Sequence, residues 1–196
     1  MGGLRERKKI HVRTTIQREA LRLFSEQGFD ATTVEQIADA ASVSTATFYR
    51  YFTSKEDSVV TDEYDPIFVQ SIMERPSDEA IIEAVRTVMT EVVVHYIVRD
   101  RDLLVARHEL KRKTPALAAA CFEEQERSME MFAALIARHV RRPADDLDVR
   151  IAIGALTGAL HETFGAWLGQ GAKGGEKRLR ELLNHTIDRV ESALRF

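Results

Sequence analysis

The side chains best suited to chemistry lie close together in the chain: Ser44, Thr45, Thr47, Tyr49, Arg50, Tyr51 and Lys55. They are hydroxyls, phenols, a guanidinium and an ammonium, and no carboxylate stands between Ser44 and Lys55. Such groups donate hydrogen bonds to phosphate oxygens, and the hydroxyls and guanidinium also match base edges. The set suits a polyanionic surface, above all duplex DNA. A purely structural helix pair with a polar rim would also have to explain Tyr49-Arg50-Tyr51 in a row beside a basic tail.

Other chemistry is poorly supported. His108-Glu109 and His161-Glu162 each open like H-E-x-x-H, but Arg112 and Gly165 stand where the second His is needed. No zinc site follows from that spacing. The sequence has no Gly-rich phosphate loop, nucleophile elbow or paired-Cys motif. Neither a catalytic nor a metal residue is assigned, no cofactor is implied, and the chain is read as not an enzyme. The single Cys121 excludes an intrachain disulfide. It lies among Ala118, Ala119, Ala120 and Phe122, as a small buried hydrophobe would.

The polar set must be held by the stretch TTVEQIADAASVSTATFYRYFTSK, residues 32–55. Val34, Ile37, Ala38 and Ala41 recur at helical spacing. Thr33, with Gln36 three residues on, predicts a capping box. Ala41-Ser42-Val43 ends this helix, and Ser44 offers the N-cap of a second one over Thr45–Phe52. Phe48 and Phe52, four apart, anchor the second helix to a core. Two short helices joined by so few residues form a helix-turn-helix.

VSTATFYRYFTSKED, preceded by TTVEQIADAA, resembles the DNA-binding motif of the Tet-repressor (TetR, AcrR-type) family of bacterial regulators. The likeness extends upstream through Ile16, Ala20, Leu23, Phe24 and Gly28-Phe29. It departs at Ala46, where many members carry Gly. The resemblance implies a DNA-binding domain over 9–69, with the helix-turn-helix at about 32–51, and a ligand-binding and dimerisation domain over 70–196. It implies DNA contacts from Thr33, Ser44, Thr45, Ala46, Thr47, Tyr49, Arg50, Tyr51 and Lys55. The segment FYRYFTSKEDSVVTDEYDP also looks like a branch whose members respond to acyl-CoA-like ligands.

Bulk properties agree with this. The chain has 196 residues, 44% of them hydrophobic, with only 4 Pro and 10 Gly. Few breakers argue for an all-α fold, with about nine helices expected. Net charge is −3, but residues 1–55 hold nine Lys/Arg against six acids, leaving 19 against 25 in the rest. The positive N-terminal third is where a polyanion would bind. Arg5, Arg7, Lys8, Lys9 and Arg13 form a basic tail, which serves either as a solvated helix start or as an arm for phosphates. No apolar run reaches about 18 residues, and MGGLRERKKI has no apolar stretch behind it. The expected location is the cytoplasm, on the nucleoid when DNA is bound, without a membrane partner.

The first helix is expected over about 7–27. A linking helix should start at Ser54, be broken or kinked at Pro66, and stop by Pro76. The domain boundary falls near 66–76. Ser77 is expected to cap the next helix, whose broad apolar face includes Val85, Val88, Met89 and Tyr96; the run Val92-Val93-Val94 is read as helix rather than strand. Further helices follow over 103–110, from Pro115 to about 141, over 148–168, and after the 169–175 loop. Phe68, Met89, Tyr96, Phe122, Met129, Phe132, Phe164 and Trp167 are candidates for an apolar pocket, which such spacing alone does not separate from plain core. The helix rich in Gly154, Gly158 and Gly165 and the last helix are expected to form a four-helix dimer interface, through Leu156, Leu160, Leu182, Leu183, Thr186 and Val190. Ordinary intrachain packing is the other explanation of these two helices.

The function expected from the whole is a homodimeric repressor, released from a palindromic double-stranded operator by a small apolar or amphipathic effector. The competing reading is a helical small-molecule binding protein that does not read DNA.

Overall fold

The computed structural model describes residues 4–61 and 64–194, with the backbone alone described for residues 4–10. All regular structure among these residues is helical, as the scarcity of breakers requires. The chain forms two compact units, Met1–Thr61 with Ala106–Phe122, and Asp62–Val105 with Glu123–Phe196.

In the first unit, α1 (Leu4–Gln27) begins earlier than its apolar pattern suggests. It buries Ile16, Gln17, Ala20, Leu21 and Phe24, with Leu21 rather than Leu23 completing the stripe. Gly28 ends the helix at φ 89, a left-handed conformation that suits a residue without Cβ. Phe29 then folds back on Phe24, with ring centroids 4.9 Å apart. Next come α2 (Val34–Ala40) and α3 (Thr45–Tyr51). Phe48 and Phe52 are 0% and 1% exposed and lie 5.7 Å apart, so the expected anchor is present. Truncating either ring would cost about 3–5 kcal/mol.

The linking helix expected from Ser54 to Pro76 is two pieces: α4 (Asp57–Val60) and α5 (Asp65–Met73). The break precedes Pro66, which occupies the first turn of α5. There its missing N–H costs nothing. Thr61 closes α4 with ψ 129. Its carbonyl receives Gln17 Nε2 at 3.4 Å and Arg107 Nη1 at 3.3 Å, so the freed acceptor is satisfied within the first unit.

In the second unit, α6 (Ile81–Thr87), a π-helical turn (Val88–Val93) and α7 (Val94–Arg99) run on continuously. The β-branched run is therefore helical but widened; Val88, Val92, Val93 and Val94 crowd a regular turn. Ala80 rather than Ser77 sits at the N-cap, without a side-chain bond. Helices α8 (Arg101–Lys113), α9 (Leu117–Val140), α10 (Leu147–Gly169) and α11 (Gly175–Leu194) complete the chain. The core of this unit centres on Phe68, Val94, Trp167, Leu179 and Leu183. Trp167 Nε1 donates to the Lys173 carbonyl at 3.2 Å, pinning the α10–α11 turn. The Thr163 and Thr186 hydroxyls meet at 2.6 Å between the same two helices.

Candidate nucleic-acid interface

The turn between α2 and α3 follows from backbone hydrogen bonding. The Val43 N–H donates to the Ala38 carbonyl at 2.9 Å and the Ser42 N–H to Asp39 at 3.0 Å. This is a Schellman closure, which places Ser42 at φ 56 where Gly or Asn is usual. At the other end of α2 the capping box is complete. The Gln36 N–H donates to Thr33 Oγ1 at 3.3 Å, and the Thr33 N–H to Gln36 Oε1 at 2.9 Å. Gln27 Nε2 also donates to Gln36 Oε1, at 2.9 Å. The Glu35 carboxyl is held below its ordinary range, first by its own backbone N–H and then by the Thr33 side chain.

Helix α3 is capped as expected, with Ser44 Oγ accepting the Thr47 N–H at 3.1 Å. The same hydroxyl donates to Thr47 Oγ1 at 3.0 Å, so the two side chains are held as a pair. Thr45, Ala46, Tyr49 and Arg50 are exposed, and Tyr51 is half-buried. Tyr49 is 55% exposed, with its ring edge-on to Phe48 at 5.5 Å. The Arg50 guanidinium lies 5.4 Å from the centre of the Tyr51 ring. The structure thus brings Ser44 through Tyr51 together on one short, rigidly capped helix whose open face bears no acid. An anionic surface meets donors there without like-charge repulsion.

Lys55, expected at a phosphate, and Arg13, from the basic tail read either as a solvated helix start or as a phosphate arm, both make contacts within the chain. Lys55 Nζ donates to the carbonyls of Phe29 at 2.8 Å and Thr32 at 3.1 Å. The Phe29 carbonyl also accepts the Thr32 N–H at 3.3 Å, and the ammonium ties both carbonyls of the turn that follows α1 together. Arg13 lies over the Phe52 ring at 5.2 Å, where cation–π attraction and packing hold it inward. The side chains of Arg5, Arg7, Lys8 and Lys9 lie outside the described residues.

Of the pocket candidates, Phe68, Met89 and Trp167 are buried in the main core of the second unit, with Tyr96, Phe132 and Phe164 packed on it. Phe68 and Phe132 meet edge-on at 5.1 Å. Met129 joins a smaller cluster around Ala133 and Ile136. Phe122 does not belong with them: it is 64% exposed and falls in the first unit. The helical stripe that suggested it turns Leu117 inward instead. A cavity of about 200 Å³ lies elsewhere in the second unit, walled by Ile82, Val85, Ile136, Val149, Ala152 and Leu156, with Arg142 and Asp148 also lining it. None of the eight candidates lines it. Its walls read in the sequence as ordinary core stripes, because apolar spacing marks a face and not the gap behind it.

The dimer candidates also divide. Leu183 is 0% exposed within its own chain and is corrected to intrachain core. Leu156 and Val190 line the cavity, Thr186 meets Thr163, and Leu160 and Leu182 are half-buried. The face of α10 left uncovered instead carries Leu147, 70% exposed, and Ile151, 50% exposed. Gly154 and Gly158 follow at helical spacing, and a Cβ added at either meets nothing within 4 Å.

No helix among the described residues is long and apolar enough to cross a membrane, and none of their His, Cys, Asp and Glu residues form a group that could hold a metal ion. The fold and the α2–α3 geometry define a helical protein built on a helix-turn-helix. Residues 16–57 match the model of the bacterial regulatory proteins of the tetR family, and residues 79–195 match the MftR C-terminal domain. The HTH-type transcriptional regulator TcmR of Streptomyces glaucescens is 37% identical over 155 residues, 74% of this chain and 66% of that protein. The chain thus spans just under two thirds of that relative's length. The fatty acid degradation regulator FadR of Bacillus halodurans shares the fold, at TM-score 0.60 and 22% identity over 91% of this chain and 94% of that one. FadR of Thermus thermophilus, solved in complex with lauroyl-CoA, aligns at TM-score 0.53 and 25% identity over 91% and 92%. The chain belongs to the TetR family of bacterial regulators.

Proposed function

We propose that the chain is a homodimeric transcriptional repressor that holds a palindromic DNA operator and leaves it when a small apolar or amphipathic effector binds. The observation that carries this reading is α3, capped by a locked Ser44–Thr47 pair and free of acids on its open face. The DNA-binding domain is residues 9–69, and the effector and dimerisation domain is residues 70–196. Thr45, Thr47 and Arg50 meet base edges, while Thr33, Ser44, Tyr49 and Tyr51 meet phosphates and Ala46 lies against the backbone. Lys55 contributes by fixing the turn before Thr33, and one N–H of its ammonium is left to reach a phosphate.

One helix-turn-helix makes few contacts, so two are needed, about 34 Å apart on a two-fold site. The open Gly154 and Gly158 positions support pairing through α10, with α11 beside it. The effector acts by binding the two spacings of the recognition helices with different affinity. The lauroyl-CoA complex of the Thermus relative supports an acyl-CoA-like molecule as one such effector. The protein works in the cytoplasm, on the nucleoid. Electrophoretic retardation of the DNA upstream of the protein's own gene tests the reading: a retarded band is expected, and its absence in every effector state leaves a small-molecule binding protein.

A further inference from the structure

The cavity of about 200 Å³ in the second unit has a lining and a charged edge that together specify an occupant. Its walls come from α6, α9, α10 and α11, and they are almost wholly aliphatic: Ile82, Val85, Ile136, Val149 and Leu156. Ala152, half-buried, leaves room where a larger side chain would fill the space. Apolar walls of this kind offer water few hydrogen bonds, which favours an apolar occupant over water.

At the solvent-exposed edge of the lining, Arg142 and Asp148 are paired with each other, and Arg142 also with Asp146 beside it. Arg142 Nη2 lies 2.8 Å from Asp146 Oδ2 and 2.9 Å from Asp148 Oδ2. Asp146 is itself immobilised, because its Oδ1 caps α10 by accepting the Asp148 and Val149 N–H groups at 3.0 and 3.3 Å. The guanidinium is therefore already shared between two carboxylates, and the group as a whole is net negative. An anionic head would have to displace Asp146 or Asp148 and face the carboxylate left over. A cationic head would meet carboxylates already bonded to Arg142. Neither charge gains an unshared partner. The adjoining segment is also held: His139 Nε2 bonds the Glu79 carbonyl at 2.8 Å, and Arg75 is paired with Glu79, just before Ile81 and Ile82 enter the wall.

We propose that this cavity is a binding site for a compact, uncharged apolar molecule, of the size of a single-ring aromatic or a medium-chain alcohol. The site is separate from the Phe68–Phe132 core and selects against acyl chains with anionic ends. Binding there stands on the cavity alone; that it alters DNA affinity rests on the repressor reading.

The test uses the full chain and isothermal titration with octan-1-ol and octanoate. Octan-1-ol should bind at least tenfold more tightly than octanoate. Ala152→Phe, which fills the cavity, should abolish octan-1-ol binding, and Ala152→Leu should weaken it partway, with helicity by circular dichroism confirming that at least one variant folds. Octanoate binding as tight as octan-1-ol, no binding of octan-1-ol, or octan-1-ol binding unchanged in a folded filled variant would each overturn the proposal. DNA retardation is measured in parallel. Octan-1-ol binding without DNA binding would keep the site and remove the repressor; DNA binding without octan-1-ol binding would do the reverse.

Discussion

The Lys55 ammonium donates to the Phe29 carbonyl at 2.8 Å, across 26 residues of sequence, and sits 4.4 Å from the centre of the same residue's ring. A cation that looks poised for phosphate is thus bound first to the protein's own backbone. It bridges the Phe29 and Thr32 carbonyls and so fixes the turn that leads into the Thr33 cap.

Lys55→Ala removes a charged donor from two carbonyls, a loss of about 2 kcal/mol. The urea midpoint should fall accordingly, while the salt dependence of DNA binding by the folded variant should decrease by no more than about one contact. An unchanged midpoint with a lower salt slope would make Lys55 a phosphate ligand and nothing else.

Ser42→Gly should stabilise the protein. The left-handed conformation costs an L-residue about 1–2 kcal/mol, while glycine's extra freedom when unfolded takes back about 0.4–1 kcal/mol. The net gain, about 0–1.6 kcal/mol and centred on about 0.8 kcal/mol, should raise the urea midpoint without changing DNA affinity. A lower midpoint would mean that the Ser42 side chain contributes more than its backbone strain costs.

Two changes at Ser44 separate capping from recognition. Ser44→Ala should lower stability by about 1 kcal/mol. Ser44→Asp keeps an acceptor for the Thr47 N–H, so stability should hold, yet its charge at the front of α3 should weaken DNA binding about tenfold or more. Undiminished DNA binding by the Asp variant would place this end of α3 away from phosphate.

Gly158→Trp tests the α10 face. The added side chain meets no atom of its own chain near its Cβ, so helicity should be retained. If α10 pairs across a two-fold axis, sedimentation should show the dimer weakened at least about tenfold. A variant that remains fully dimeric would move the interface off this face.

The helix-turn-helix was legible in the sequence because its determinants are local. Thr33 with Gln36, Ser44 with Thr47, and Phe48 with Phe52 act over three or four residues, and each is realised in the structure. What was not legible depends on partners distant in sequence. Lys55 reads as a free cation until Phe29 is beside it, and Leu183 reads like any other member of the α11 stripe. The α4–α5 break was half visible: Pro66 announced it, but proline at the start of a helix and proline that kinks one look alike. The cavity left no trace, because Ala152 is only a small residue until the space in front of it is seen.

The most direct test of the central claim is the affinity of the full chain for its own upstream DNA as a function of salt, for the native sequence and for Arg50→Ala and Thr45→Ala. Log affinity should fall linearly with log salt, by about 0.9 per phosphate neutralised. Arg50→Ala and Thr45→Ala, both changes at base edges, should leave the slope nearly unchanged and narrow the preference for upstream over random DNA by about 1–3 kcal/mol. A flat salt dependence, or equal affinity for upstream and random DNA, would contradict the account.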